Sequence, residues 1–99
     1  MKGFRISNAA MTDLREIAAF TEQRWGRPQR FEYLRLIDEA FQLLADSPSV
    51  GSHCDYIAAN LRKHPCQSHV VYYELDSFGI FVVRVLHRRM DVSAAVIQR

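Results

Sequence analysis

The hydrophobic pattern of this chain changes its period once, near the middle of the sequence. In residues 8–45, apolar side chains recur at the three- to four-residue spacing of a helix face. In residues 61–86 they follow the alternation of β-strands, with Val and Tyr concentrated at residues 70–73. Two separate cores would need more than 99 residues, so we predict a single α+β domain spanning residues 1–99.

The first half of the chain carries the signals of two helices joined by a tight turn. Residues 3–7 are typical of a short strand, after which Ser7 or Asn8 can cap a helix. Gly26 suits the left-handed end of that helix, and Pro28 suits the first turn of the next. The predicted apolar faces are Leu14, Ile17, Ala18, Thr21 and Trp25 in the first helix, and Phe31, Leu34, Ile37, Phe41 and Leu44 in the second. Asp13 is expected to interact favourably with the first helix dipole.

The second half of the chain is predicted to form three consecutive strands, over residues 61–64, 69–75 and 80–86. Short turns between strands favour antiparallel pairing. The element order is therefore β-αα-βββ, with a helical hairpin packed on one face of a small antiparallel sheet. Strict alternation divides the last strand into two sets, Phe81, Val83 and Val85 on one face and Ile80, Val82 and Leu86 on the other.

The central strands are apolar on both faces, whereas only one helical layer is available to cover them. A small monomer rarely leaves a sheet face apolar and exposed. The second face is therefore covered either by a protein partner or by the loop at 47–59 together with the C-terminal tail. Residues 90–99 show no clear pattern beyond a possible short helix.

Composition excludes several classes of protein. No apolar run approaches the roughly 20 residues that span a membrane, and no apolar region follows the start, Met-Lys-Gly-Phe-Arg, as in a secretory signal. We therefore expect a cytoplasmic protein whose two cysteines are thiols.

The net charge is +2, and the basic excess lies in residues 61–99. This excess is too small to indicate nucleic-acid binding by itself, but it suits an acidic partner segment.

Three kinds of site chemistry can be weighed against simpler interpretations. A metal site could use His53, Cys54, His64, Cys66 and His69. No paired Cys-x-x-Cys or second His element accompanies them, which favours ordinary strand and loop residues. A cysteine nucleophile would need a nearby histidine, and single thiols are usually inert. RNA cleavage could use Lys63, His64, Arg84, His87, Arg88 and Arg89, although the same residues could form a basic rim that docks a protein. We predict no catalytic residue, no metal and no cofactor.

Three stretches, in the right order, resemble one protein family. Residues 11–26, MTDLREIAAFTEQRWG, resemble the first helix of ParE toxins of the RelE/ParE superfamily. Residues 61–75, LRKHPCQSHVVYYEL, are similar to the central hairpin of these toxins, and residues 82–91, VVRVLHRRMD, to their last strand and its exit. The resemblance covers nearly the whole chain. It implies the toxin of a type II toxin–antitoxin module, which inhibits DNA gyrase and so DNA replication and is neutralised by a ParD-like antitoxin.

The resemblance also implies two binding surfaces. The antitoxin is expected to place a helix in the groove of the helical hairpin and a strand-like stretch beside the sheet, giving a hetero-oligomer. Its expected contacts are Leu34, Ile37, Phe41, Tyr72, Val82 and Arg84. The expected gyrase contacts are His87, Arg88 and Arg89. Neither a membrane nor direct, sequence-specific nucleic-acid binding is expected.

Two alternatives stay open within the same superfamily. The RNA-cleaving branch uses an Arg at the exit of the last strand and a Tyr in the C-terminal segment. Arg88 matches the Arg approximately, but the Tyr position falls near Ala94, which cannot transfer a proton. This favours a non-enzymatic ParE toxin over a ribosome-dependent mRNA endonuclease, although His87 keeps a proton-transfer group available. The other alternative is a homologue that binds its antitoxin but is no longer toxic.

Overall fold

The computed structural model describes residues 3–97, which form two helices packed on one five-stranded sheet. The elements in chain order are β1 (Gly3–Ile6), α1 (Asn8–Trp25), α2 (Arg27–Asp46), a one-turn 3₁₀ helix (Pro48–Val50), β2 (Ser52–His53), β3 (Arg62–Cys66), β4 (His69–Asp76) and β5 (Gly79–His87). The predicted α+β fold with a helical hairpin is confirmed. The prediction lacked β2, and residues 90–97 form turns and irregular chain instead of a short helix. Residues 98 and 99 lie outside the described residues.

The strands lie in the order β1-β5-β4-β3-β2, and one pairing differs from the prediction. β1 runs parallel to β5, with Gly3 opposite Gly79 and Ile6 opposite Val82, so the sheet is mixed instead of wholly antiparallel. No short turn joins these two strands, because two helices and three strands lie between them, and their relative direction is not set locally. The strands approach closely at one end, where a Cβ at Gly79 would lie 1.8 Å from the Gly3 carbonyl oxygen.

The helical hairpin is built by two local signals that the sequence contains. Ser7 caps α1, since its Oγ accepts a hydrogen bond from the Ala10 amide at 2.9 Å. The same hydroxyl donates to the Val83 carbonyl at 2.7 Å, which ties the start of α1 to β5. Gly26 adopts a φ of +87°, a conformation that favours glycine, and so reverses the chain between α1 and α2. Neither helix of the described chain is long and apolar enough to cross a membrane.

One face of the sheet, which we call the helix face, packs against α1 and α2. Its buried core includes Ile17, Ile37, Phe41, Leu44, Val71, Tyr73, Ile80 and Val82. Buried positions end at Thr21 in α1 and begin at Ile37 in α2. Trp25 and Phe31 are 61% and 70% exposed, so their predicted place on the apolar faces is wrong. These two residues flank the turn at Gly26, where the hairpin extends beyond the buried core.

The opposite face of the sheet, which we call the tail face, is covered by the chain itself. Its buried residues are Cys54, Leu61, Tyr72, Val83, Leu86 and Ile97. Ile57 and Ala58 from the loop, and Val92 and Val96 from the C-terminal tail, pack against them. The second face was expected to be covered either by a protein partner or by the loop and the tail. The structure shows that the loop and the tail cover it. A partner is not needed to hide this face, so the argument for a partner from an uncovered face is wrong.

A β-bulge changes which residues of β5 face which side. Tyr72 is opposite Arg84 whereas Tyr73 is opposite Val82, which leaves Val83 as the extra residue. After the bulge, Val85 packs in the helix-face core and Leu86 in the tail-face core. The predicted alternation is therefore right up to Val83 and wrong for Val85 and Leu86, because one inserted residue reverses the pattern.

Candidate protein-binding grooves and basic rim

A groove of about 490 Å³ runs between α1, α2 and β1, and we call it the hairpin groove. Its apolar lining residues are Phe4, Ile6, Met11, Leu14, Ala18, Ala19, Leu34, Ile37 and Phe41. Its charged lining residues are Arg15, Glu22, Arg30 and Asp38, of which Arg30 pairs with Glu22 at 2.8 Å. An apolar lining with charges of both signs suits the apolar face of an amphipathic helix.

The six residues expected to contact an antitoxin do not lie together. Three of them, Leu34, Ile37 and Phe41, line the hairpin groove. Tyr72 is buried in the tail-face core, on the other side of the sheet. Val82 is 0% exposed, so its side chain has no surface that a partner could contact in this conformation.

Arg84, the sixth of these residues, is held by an intramolecular ion pair. Its guanidinium contacts the Asp13 carboxylate through Nε at 2.7 Å and through Nη2 at 2.8 Å. Its Nη1 donates to the Val96 carbonyl at 2.9 Å, which anchors the C-terminal tail. The hydrogen bond to Asp13 raises the pKa of Arg84, so the cation is favoured further.

Asp13, which was expected to act only at the helix dipole, is a buried structural residue. It is buried, and it accepts the Val85 amide at 3.0 Å in addition to the Arg84 side chain. The expected role at the helix dipole is wrong, because Asp13 lies beyond the first turn of α1 and its carboxylate instead binds groups of β5. Its position four residues before Ile17, on the same helix face, is the sequence signal that could have indicated burial.

The residues expected to contact gyrase form one exposed turn at the end of β5, and we call His87, Arg88 and Arg89 the basic rim. The Arg88 amide donates to the Ser68 carbonyl at 2.9 Å, which fixes the turn to the β3–β4 hairpin. The Arg89 amide donates to His87 Nδ1 at 3.1 Å. The backbone of the rim is thus ordered while both arginine side chains face solvent.

A second groove, of about 560 Å³, adjoins the basic rim, and we call it the rim groove. Its lining residues are Phe20, Thr21, Trp25, Gln29, Tyr33, Ser68, His69 and His87. The Tyr33 hydroxyl accepts the Ser68 amide at 3.0 Å and lies 2.6 Å from His69 Nδ1. Burial, with a smaller contribution from nearby His87, lowers the pKa of His69, and burial raises that of Tyr33. His69 is therefore neutral near pH 7, and Tyr33 is protonated.

Comparison with known proteins decides the family. The family model described as ParE toxin of type II toxin-antitoxin system, parDE, matches residues 4–92. The chain belongs to the ParE toxin family. It is 42% identical to Toxin ParE1 of Mycobacterium tuberculosis, over 90% of this chain and 92% of that protein. It is 34% identical to Toxin ParE1 of Caulobacter vibrioides, over 95% of this chain and 97% of that protein.

The fold of this ParE family member is similar to that of a solved structure, described as the chromosomal ParDE TA system from P. aeruginosa. The TM-score is 0.75 at 15% identity, and the match covers 88% of this chain and 96% of that one. At this identity the likeness concerns the fold alone.

The two cysteines considered for a metal or thiol site lie on opposite faces of the sheet in this ParE fold. Among residues 3–97, no three His, Cys, Asp or Glu side chains are grouped so that they could hold a metal ion. Cys54 lies in the tail-face core and Cys66 in the helix-face core. Burial raises the pKa of both thiols, so both are protonated and weakly nucleophilic at neutral pH.

Of the six residues considered for RNA cleavage, three lie together in the basic rim, and Lys63, His64 and Arg84 lie elsewhere on the sheet. Lys63 lies in one row with Tyr72 and Arg84, whereas His87 lies opposite His69, three residues further along the strand. The Lys63 ammonium donates to the Tyr56 hydroxyl at 2.9 Å, and Arg84 is engaged with Asp13. The groups that the structure brings together are instead Tyr33, His69 and His87. Neither Tyr33 nor the pairing of the two histidines was identified from the sequence.

Proposed function

We propose that this chain is the toxin of a ParDE pair, which inhibits DNA gyrase and is neutralised by a ParD-like antitoxin. The match of the ParE toxin family model to residues 4–92 is the observation that carries this proposal. Two surfaces of the fold supply the two interactions that such a toxin needs. The hairpin groove is the proposed antitoxin site, and the basic rim is the proposed gyrase site.

The proposed antitoxin site is the hairpin groove because its shape and chemistry fit a helix. Leu34 is half-buried at the groove, while Ile37 and Phe41 are almost fully buried. A partner helix would cover the exposed parts of Met11 and Leu34 and would place its own charges near Arg15 and Asp38. Burial of this apolar surface would supply most of the favourable free energy of binding.

The proposed gyrase site is the basic rim because its cations are exposed and fixed on an ordered turn. Its position at the end of β5 separates it from the hairpin groove, which lies between the helices and β1. The two interactions therefore depend on different residues. A substitution in one surface is expected to leave the other interaction unchanged.

The decisive experiment measures both interactions with reciprocal variants. Purified toxin should inhibit supercoiling of plasmid DNA by gyrase, and the variant with Arg88→Glu and Arg89→Glu should need at least about tenfold more protein. This variant should bind the antitoxin as well as the unmodified chain does. Leu34→Asp should do the opposite, with antitoxin binding weakened at least about tenfold and gyrase inhibition retained.

Three outcomes would overturn parts of the proposal. Supercoiling that stays unchanged at a large molar excess of toxin would remove gyrase as the target. Cleavage of translated mRNA in cells expressing the toxin would replace gyrase inhibition with the RNA-cleaving alternative. Expression that is harmless without the antitoxin would indicate a homologue that has lost its toxicity.

A further inference from the structure

Solvent-exposed aromatic rings lie beside the rim groove. Phe20 and Trp25 are 55% and 61% exposed, and their ring centroids are 6.1 Å apart in an edge-to-face arrangement. The guanidinium of Arg24 lies 5.7 Å from the Phe20 ring and 5.6 Å from the Trp25 ring. The groove thus has an exposed aromatic wall with a cation stacked against it.

The arginines around this groove form no ion pair, unlike most of the other arginines within residues 3–97. Within residues 3–97, Arg24, Arg88 and Arg89 form no ion pair, whereas Arg30 and Arg84 are paired with carboxylates. Arg88 follows His87 and donates its amide to the Ser68 carbonyl, and both His87 and Ser68 line the groove. Asp13, on the same side of α1, is neutralised by Arg84. Exposed cations of Arg24 and Arg88 therefore border the groove.

The two histidines of the groove add hydrogen-bond donors. Their ring centroids are 5.4 Å apart. The Tyr33 hydroxyl accepts the Ser68 amide, so its own proton is directed to His69 Nδ1, and His69 carries its proton on Nε2. His87 Nδ1 accepts the Arg89 amide, so His87 also carries its proton on Nε2. Nε2–H of each ring is thus the group that can donate to an anionic oxygen.

We propose that the rim groove binds a single-stranded nucleic acid segment, with a base stacked on Trp25 and the neighbouring phosphates held by Arg24, Arg88 and the histidines. Planar rings next to unpaired arginines match the alternation of bases and phosphates along a single strand. A duplex hides the faces of its bases, so it cannot use the aromatic wall in this way. Stacking and phosphate contacts do not read base identity, so this binding is not sequence-specific.

Intrinsic tryptophan fluorescence can report binding at this site, because Trp25 is the only tryptophan of the sequence. We expect a 12-nucleotide oligothymidylate to quench Trp25 fluorescence at about 100 mM salt, and a 12-base-pair duplex to bind less tightly. In fluorescence anisotropy with labelled oligothymidylate, Trp25→Ala should weaken binding about tenfold. Combined Arg24→Glu and Arg88→Glu should weaken it further and flatten its salt dependence. Circular dichroism checks that each variant is folded.

Phe31→Ala is the matched control, because Phe31 is 70% exposed but lines neither groove. This variant should bind oligothymidylate as the unmodified chain does. Equal losses in the Phe31 and Trp25 variants, or the absence of quenching, would overturn the proposal. Polyglutamate binding as tightly as oligothymidylate would overturn it in favour of an acidic protein partner. His87 and Arg88 are shared with the proposed gyrase site, but the test contains neither gyrase nor antitoxin, so failure of this binding is distinguished from failure of the function proposed above.

Discussion

The helix face and the tail face of the sheet are both buried, but chain segments of different kinds cover them. α1 and α2 cover the helix face, and their backbone groups are largely satisfied within each helix. The tail face is covered by irregular chain around residues 54–61 and 92–97, whose internal hydrogen bonds close short turns instead of a continuous helix. The C-terminal part of this cover is anchored to β5, because Arg84 donates to the Val96 carbonyl. The tail face should therefore open locally more readily than the helix face.

This difference bears on the two proposed binding surfaces. The hairpin groove is formed by β1, α1 and α2, so we expect it to lose its shape only when the whole domain unfolds. The basic rim leads directly into the tail, whose anchor on Arg84 depends in turn on Asp13. The groove and the rim should consequently respond differently to substitutions that loosen one face.

The largest expected effect on the free energy of unfolding comes from removing a side chain from the helix-face core. Leu44 is 0% exposed, and Leu44→Ala should lower the free energy of unfolding by about 3 kcal/mol. Leu43→Ala is the control on the same helix, because Leu43 is 45% exposed, and it should cost less than about 1 kcal/mol. Urea denaturation measures both. Similar losses would show that α2 does not cover the sheet as described.

The next largest effect is expected at the ion pair that links the two faces. Arg84→Met should cost about 2 kcal/mol, because it leaves the buried Asp13 carboxylate without its cation. This is less than for a fully buried pair, since the Arg84 side chain is 21% exposed. Arg5→Met removes the exposed pair with Asp76 and should cost less than about 1 kcal/mol. Limited proteolysis should also release the tail in the Arg84 variant only, and equal behaviour of the two variants would contradict its role as an anchor.

The two cysteines report directly on opening of the two faces. Cys54 on the tail face is 0% exposed, and Cys66 on the helix face is 8% exposed. Static exposure alone predicts faster modification of Cys66. We expect Cys54 to react about tenfold faster with a thiol reagent, because a difference of about 1.4 kcal/mol in opening free energy suffices for that ratio. Rates in the variants Cys66→Ala and Cys54→Ala measure each thiol alone, and faster reaction of Cys66 would refute the comparison.

The smallest expected effect is a pH dependence that comes from His69. Its folded-state pKa is lowered, first by burial and then by the charge of His87, although Asp13 opposes this in part. The unfolded chain therefore binds more protons than the folded chain below about pH 6.5, so stability falls as the pH decreases through this range. His69→Gln should reduce this slope in urea denaturation between pH 7 and pH 5. An unchanged slope would show that groups other than His69 cause the pH dependence of stability.

Parts of the candidate surfaces could be predicted because their residues are close in sequence. His87, Arg88 and Arg89 follow one apolar strand, and Leu34, Ile37 and Phe41 share one helix face. Asp13 and Arg84 are 71 residues apart, and Tyr33 and His69 are 36 apart. No local pattern links such pairs. Residues of the same types occur elsewhere in the chain without these contacts.

The sequence by itself determined the two helices, their turn at Gly26 and the three main strands, because periodicity, caps and turn residues act over a few positions. It also indicated the ParE family through three stretches in order. Only the tertiary structure decided the parallel direction of β1, the bulge at Val83, the cover of the tail face and the burial of Asp13. Each of these depends on contacts between segments far apart in the chain, whose free energies local propensities do not contain.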